Sequence, residues 1–441
     1  MIKVEVETVD PVRRRLAVEV PEEEVRAEID RAYGELGRHA RVRGFRPGRT
    51  PRPVLEQLFG DQVRADVFGK LIQQSYAEAL RERGLAVVSQ PQIVTERAEP
   101  GAALRYSATV EVRPEVEAQR YSDFVVERPL QPVSDADVDA YLRRAQDSLA
   151  QLKPIADRSR VQRGDVATID YEARLGARLV GRGENRLVEV GRGSFGPDFD
   201  AQIETAEVGG TREITVGYPA DHSNTELAGQ TVRFHVTVKS LASKELPPLD
   251  DDFAKDHGEC ASLAELRARV RQQLEAQANQ HADEAVRAAL VEQLVKQHDD
   301  LVVPDAMVHR RAHALAEDFV RSMRDPRVPQ KTEDTALLER LSHDLEPQAR
   351  TQVKAALLLE AVARQEHLDV SDDDLNAHIS ELSAQAGTAG ERVRALYQDE
   401  DARLALHDRL LQQRALDLVA SRATITTVEA SRSVADRNQN G

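Results

Sequence analysis

The sequence predicts a multidomain α+β protein: an N-terminal α/β block, an antiparallel β block in the middle, and a mainly α-helical remainder. Three observations predict it. The chain has 441 residues, about three domains at roughly 150 residues each. Hydrophobic residues make up 41% of it, enough for sizeable cores and too many for a disordered chain. The hydrophobic pattern also changes character near residue 150 and again after Pro247-Pro248.

The elements follow in order. Val4, Val6, Leu16, Val18 and Val20 alternate with polar residues on two strands, with a turn at Asp10-Pro11. Pro21 opens a helix whose apolar face is Val25, Ile29, Tyr33 and Leu36. The glycines and prolines of residues 38–52 predict a loop, and a long helix is expected to resume near Asp61 and stop at Gly84. Strands are expected at 92–97 and 104–112, which completes a first domain of residues 1–112. Residues 113–149 read as a connector, part strand and part helix, with a helix-start signal at Ser134 and Asp137. Within 150–245, strands at 168–175, 187–190, 212–216 and 231–241 alternate with glycine-rich turns, which suits a small, bent sheet. Residues 246–441 are helical almost to the end. Ser262 with Glu265 and Ser371 with Asp374 mark helix starts, and Pro304, Pro326, Pro329, Gly387 and Gly390 mark breaks.

Charge and composition exclude several classes. Net charge is −16, so a basic patch has to be local and whole-chain nucleic-acid binding is not expected. The N-terminus lacks an apolar signal region, and no run of about 18 apolar residues occurs, so neither secretion nor a membrane span is expected. Cys260 is the single cysteine; it reads as a small buried apolar residue in a reducing compartment. A cytoplasmic location follows as the expectation. His309 and His313 are four residues apart, but the run HRRAH supplies no further ligand, and Gly191-x-Gly193 lacks the rest of a phosphate-binding pattern. No metal and no cofactor are expected.

The segment 38–52 carries Arg38, Arg41, Arg43, Arg46, Arg49 and Arg52 with no acidic residue. Gly44 and Gly48 permit positive φ, Pro47 stiffens the loop between them, and Phe45 sits at its tip. One aromatic anchor among arginines suits a mixed surface of phosphate and protein. By its residues alone, the segment is equally read as a solvated basic turn with Phe45 folded inward. The run Gly44-Phe45-Arg46-Pro47-Gly48-Arg49-Thr50-Pro51 resembles the G-F-R-x-G-x-x-P signature of the trigger factor family. The resemblance implies that Phe45, Arg46 and Arg49 contact ribosomal protein and ribosomal RNA beside the nascent-chain exit, with Gly44 and Gly48 shaping the turn. Pro47 stands where relatives often have lysine, which implies slightly weaker docking.

Residues 150–245 resemble the FKBP-type peptidyl-prolyl isomerase insert of the same family, through 166–171, 191–199 and 232–234. The resemblance implies a proline-binding pocket from Tyr171, Phe195, Phe199 and Phe234, although a plain β-core accounts for each ring singly. Leu179 aligns where a phenylalanine is usual and His222 where a pocket tyrosine is usual. Gly196 replaces an aliphatic residue whose backbone amide commonly holds the substrate carbonyl, and its own amide is expected to serve. These departures imply weakened turnover; His222 reads as well as a surface loop residue. Residues 246–441, with the connector, resemble the family's substrate-holding body, although periodicity alone fits an ordinary helical bundle.

The expectation is therefore an ATP-independent chaperone at the ribosomal exit with proline isomerase activity, holding nascent and unfolded polypeptides. The resemblance also implies a loose homodimer off the ribosome. The alternatives are a proline isomerase with weak ribosome association and an RNA-binding protein that uses the arginine loop.

Overall fold

The computed structural model describes residues 2–43, 45, 49–99, 101–220, 222, 226–258, 260–323 and 335–430. The N-terminal elements are β1 (Lys3–Thr8), β2 (Arg13–Val20), α1 (Glu22–His39), α2 (Arg52–Arg83), β3 (Gln92–Arg97) and β4 (Leu104–Glu111). The strands pair antiparallel in the order β1-β2-β4-β3. Strand alternation decides which residues face inward. Leu16, Val18 and Val20 of β2 and Leu104, Tyr106, Ala108 and Val110 of β4 are buried, and the apolar faces of α1 and α2 complete their cluster. The buried Tyr106 hydroxyl is 2.8 Å from Ser75 Oγ on α2, so its polar end has a partner.

α2 begins nine residues before the expected start. Pro51 is its N-cap and Pro53 lies in its first turn, where a missing amide costs nothing and a fixed φ suits the helix. Pro51, one of the residues that marked a loop, therefore caps a helix start. Gly84 ends the helix at φ 61°, in the left-handed region, as expected.

The middle elements are β5 (Val125–Leu130), α3 (Asp135–Ser148), β6 (Gln151–Pro154), β7 (Asp165–Leu175), β8 (Arg178–Glu189), α4 (Pro197–Ile203), β9 (Thr211–Gly217) and β10 (Thr231–Glu245). Ser134 and Asp137 form the expected capping box of α3. The 15-residue β10 organises the sheet. It holds β7 along one edge, and β9 and then β6 along the other, all antiparallel. β8 completes the far side through β7.

The helical region comprises α5 (Asp251–Gly258), α6 (Leu263–Gln297), α7 (Asp305–Met323), α8 (Thr335–Asp344), α9 (Glu346–Gln365), α10 (Asp372–Gln385), α11 (Gly390–Leu396) and α12 (Glu400–Arg422), then β11 (Thr424–Glu429). β11 pairs with β5, across about 300 residues of chain. The chain divides into two compact units, Met1–Arg128 with Glu284–Thr427 and Pro129–Asp283 with Val428–Gly441. The stretch expected as one connector is thus divided. Its first half packs Val116, Ala118, Phe124 and Val126 against Leu290, Leu294, Leu358 and Val362. Its helix α3 packs Val138 and Leu142 against Phe253, Cys260, Leu266 and Val270.

Candidate functional site

Each of the four predicted aromatic residues is placed by a local rule. Tyr171 shares the inward face of β7 with Ile169 and Ala173, and Phe234 shares that of β10 with Val232 and Val236. Phe195 lies in the turn before α4, and Phe199 sits on α4 itself. That turn is held by Asp200, whose Oδ2 accepts the Gly193 amide at 2.6 Å. The structure brings the four rings together. Phe195 lies 4.9 Å from Tyr171, 4.8 Å from Phe199 and 5.5 Å from Phe234, centroid to centroid, and Phe199 lies 5.5 Å from Phe234. The contacts are tilted or edge-on, the arrangement ring quadrupoles favour. Phe199 and Phe234 are 0% and 3% exposed and form the floor, while Tyr171 and Phe195 are only partly buried. The cluster presents a mixed wall of two accessible rings over two sealed ones.

Three other residues stand differently. Leu179 is 50% exposed, and its neighbour Val180 packs against the core. The register between β7 and β8 shifts between Ala173 and Arg174, so Leu179 pairs with Arg174 and Val180 takes the inward position. An extra residue in a strand reverses which side chains face in. Gly196 has φ 103°, and its amide donates to the Gly193 carbonyl at 2.9 Å. That amide is engaged inside its own turn. His222 lies 4.8 Å from Tyr218, ring to ring, with its amide on the Pro219 carbonyl at 3.2 Å.

Tyr218 is the residue that sequence reasoning missed. It packs against the aromatic cluster, and its hydroxyl is 3.4 Å from the Phe195 carbonyl. Burial, with Tyr171 nearby, raises its phenol above the ordinary tyrosine range. An aromatic immediately before Pro219, following an alternating strand, was the available signal.

At the arginine loop, Gly44, Arg46, Pro47 and Gly48 lie outside the described residues. Phe45 is 40% exposed, with its amide on the Val42 carbonyl at 3.1 Å. Arg38, Arg41, Arg43 and Arg49 are all exposed. Arg52 is different: its guanidinium is 2.6 Å from Asp30 and 2.7 Å from Glu56, and it lies over the Tyr33 ring at 5.1 Å. Those two carboxylates raise its pKa. It belongs to the α1–α2 packing more than to the loop.

His309 and His313 do not converge, since each pairs with its own carboxylate, Glu346 at 3.3 Å and Glu317 at 3.4 Å. Among the described residues no group of three histidine, cysteine, aspartate or glutamate side chains is arranged to hold a metal ion, and no helix is long and apolar enough to cross a membrane.

Comparison with known proteins decides the family. Residues 2–145 match the model of the bacterial trigger factor protein (TF), residues 262–421 that of its C-terminus, and residues 157–239 that of FKBP-type peptidyl-prolyl cis-trans isomerase. A trigger factor from Anaeromyxobacter sp. (strain Fw109-5) is 36% identical over 433 residues, covering 96% of this chain and 99% of the relative. The chain belongs to the trigger factor family. A trigger factor from Geotalea uraniireducens (strain Rf4) is 32% identical, over 98% of this chain and 100% of the relative. A solved structure from "Promiscuous Substrate Recognition in Folding and Assembly Activities of the Trigger Factor Chaperone" aligns with 95% of this chain and 99% of its own, at 19% identity and a TM-score of 0.46. As a trigger factor family member the protein is a chaperone with a ribosome-binding N-terminal domain and an FKBP-type peptidyl-prolyl isomerase domain. The family binds ribosomes and nascent chains in general.

Proposed function

We propose that residues 44–49 dock this chaperone, without ATP, on ribosomal protein and adjacent ribosomal RNA at the nascent-chain exit. In this reading residues 1–112 dock, residues 150–245 isomerise, and residues 246–441 with the connector hold clients. The protein works in the cytoplasm and forms a loose homodimer off the ribosome.

One observation carries the docking assignment. In a chain of net charge −16, Phe45 is exposed, and among the described residues Arg38, Arg41, Arg43 and Arg49 have no carboxylate partner. A guanidinium left unpaired beside an exposed ring is available to phosphate and to an apolar pocket. The isomerase pocket is Tyr171, Phe195, Phe199 and Phe234, with Tyr218 and His222 at its margin and Leu179 further out. An X-Pro amide loses resonance as it turns, against a barrier of about 18–20 kcal/mol. A wall of rings excludes water and favours the twisted, less polar amide over the planar one. The Gly196 amide and the Tyr218 hydroxyl, bonded to the Gly193 and Phe195 carbonyls in the free protein, are the two donors beside the rings that a substrate carbonyl would compete for. Uncatalysed isomerisation takes tens to hundreds of seconds, while synthesis adds roughly 5–20 residues per second. A catalyst beside the exit therefore acts on a real delay.

The test is ribosome co-sedimentation of Phe45→Ala, Arg46→Ala and Arg49→Ala combined, with thermal unfolding as the control. Loss of pelleting with an unchanged melt is expected. Wild-type pelleting by the triple variant refutes the docking assignment.

A further inference from the structure

We infer that Gly183 is a positioning residue for the isomerase pocket: its missing side chain lets the Tyr171 ring lie against β8 and face Phe195. The inference rests on the pocket reading above and adds to it a residue outside the aromatic set.

The geometry is specific. In the β7–β8 pair Tyr171 stands opposite Gly183 and Ala173 opposite Gly181. Residues directly opposite on an antiparallel pair point to the same face, so both glycines lie on the inward side with Tyr171. A Cβ built on Gly183 would stand 2.6 Å from Cε1 of Tyr171, 3.1 Å from its Cζ and 2.8 Å from Cγ of Arg186. Arg186 is exposed and its stem can swing away. The tyrosine ring is in contact with Phe195 at 4.9 Å and Phe234 at 6.0 Å, so moving it away from a methyl group disturbs those two contacts. Gly183 has no positive φ, so its backbone does not call for glycine. What the position calls for is the absence of a side chain, the arrangement in which a cross-strand aromatic covers a glycine.

The opposition is itself built. The register shifts between Ile169 and Tyr171, which pair with Arg186 and Gly183, so Glu184 and Asn185 bulge out of β8. Asn185 has φ 54°; its amide donates to Asp170 Oδ1 at 2.7 Å, and its side-chain oxygen accepts from Lys239 at 2.8 Å. Those bonds pin the bulge, and the pinned bulge puts Gly183 rather than Arg182 or Glu184 opposite the ring.

Gly181 provides a matched control. A Cβ there would meet Tyr171 Cε2 at 3.8 Å and Ala173 Cβ at 3.6 Å, ordinary van der Waals distances. The experiment is a double-mutant cycle in the full chain, read as kcat/KM for cis–trans isomerisation of a proline tetrapeptide and as thermal unfolding. Tyr171→Leu should lower kcat/KM; if it leaves turnover at the wild-type level, the pocket reading fails, and this inference with it. Given that loss, Gly183→Ala alone should lower kcat/KM roughly tenfold to a hundredfold, as a displaced catalytic wall does. Gly181→Ala should stay within about twofold. In the Tyr171→Leu background, Gly183→Ala should cause no further loss, because the shorter side chain leaves room for the methyl group. Should Gly183→Ala fail to fold, recovery of folding in the double variant supports the steric link. Additive losses, an equal loss at Gly181→Ala, or a double variant that still fails to fold would each overturn it while leaving the pocket reading standing.

Discussion

Removing the Phe195 ring should separate turnover from folding in a way that removing Phe199 does not. Phe199 is 0% exposed and lies 4.8 and 5.5 Å from two other rings. Truncating such a side chain costs about 3–5 kcal/mol, transfer and cavity together. A domain with roughly 5–15 kcal/mol of stability has little left after that loss, so a silent Phe199→Ala would report unfolding as readily as catalysis. Phe195 is only partly buried, at the cluster's accessible side. Its contacts with Tyr171, Phe199 and Phe234 are each worth about 0.5–1.5 kcal/mol beyond area, and solvent exposure of the ring reduces this, so Phe195→Ala should cost about 2 kcal/mol and leave the domain folded. Its effect on the reaction should be of the same size in free energy, and it can be read because the domain stays folded. Removing one of two accessible walls should lower kcat/KM about tenfold to a hundredfold, equivalent to about 1.4–2.7 kcal/mol at the transition state. The assay is protease-coupled isomerisation of a proline tetrapeptide, beside denaturant melts of both variants and a client-aggregation assay. A folded Phe195→Ala protein that turns over within about twofold of wild type would refute the argument that the exposed rings do the chemistry.

Three further outcomes follow from other parts of the molecule. Arg49→Ala should weaken ribosome association and reduce its salt dependence, by about 0.7 to 0.9 in the log–log slope for each phosphate that the side chain no longer neutralises. Arg52→Ala should leave association within about twofold and instead lower the melting temperature, because its guanidinium is held by Asp30, Glu56 and the Tyr33 ring; a co-sedimentation series in rising salt distinguishes them. In the helical region, Glu366 accepts from Arg422 at 2.6 and 2.9 Å and from the Tyr121 hydroxyl at 2.6 Å. Arg422 first, then Tyr121, lower its pKa from 4.5 to about 2. A folded-state pKa below the unfolded one means that the unfolded chain binds the proton more readily. The pair's stabilisation is therefore present above about pH 4.5 and is lost as pH falls toward 2. Glu366→Gln should flatten the dependence of the melting temperature on pH across that window, and a profile as steep as wild type would show that the carboxylate is not responsible.

Much of the chain's local structure was legible because it depends on neighbours a few residues apart. Ser134 with Asp137 and Ser371 with Asp374 cap helices as their spacing implies, since the two partners sit within one turn. Alternation of Leu104, Tyr106, Ala108 and Val110 marks a half-buried strand wherever its partners lie. Pro51 misled because a residue that stops a helix in its interior also fits at the start of one. The strand β11 was not anticipated, because it exists only through pairing with β5.

By itself the sequence determined the kinds of element, their order and the cationic segment with its one aromatic; the four rings of the middle domain were picked out by the family resemblance. Tertiary structure decided which of those residues act together. It tied Arg52 to α1, turned Leu179 outward and Val180 inward, engaged the Gly196 amide, packed Tyr218 against the aromatic cluster and set Gly183 against Tyr171. The reason is the same in each case. Residue type and spacing set local backbone preference over a turn of helix or a few residues of strand, whereas strand register and ring contact depend on segments tens of residues apart. A shift of one residue in register there exchanges the inner and outer faces.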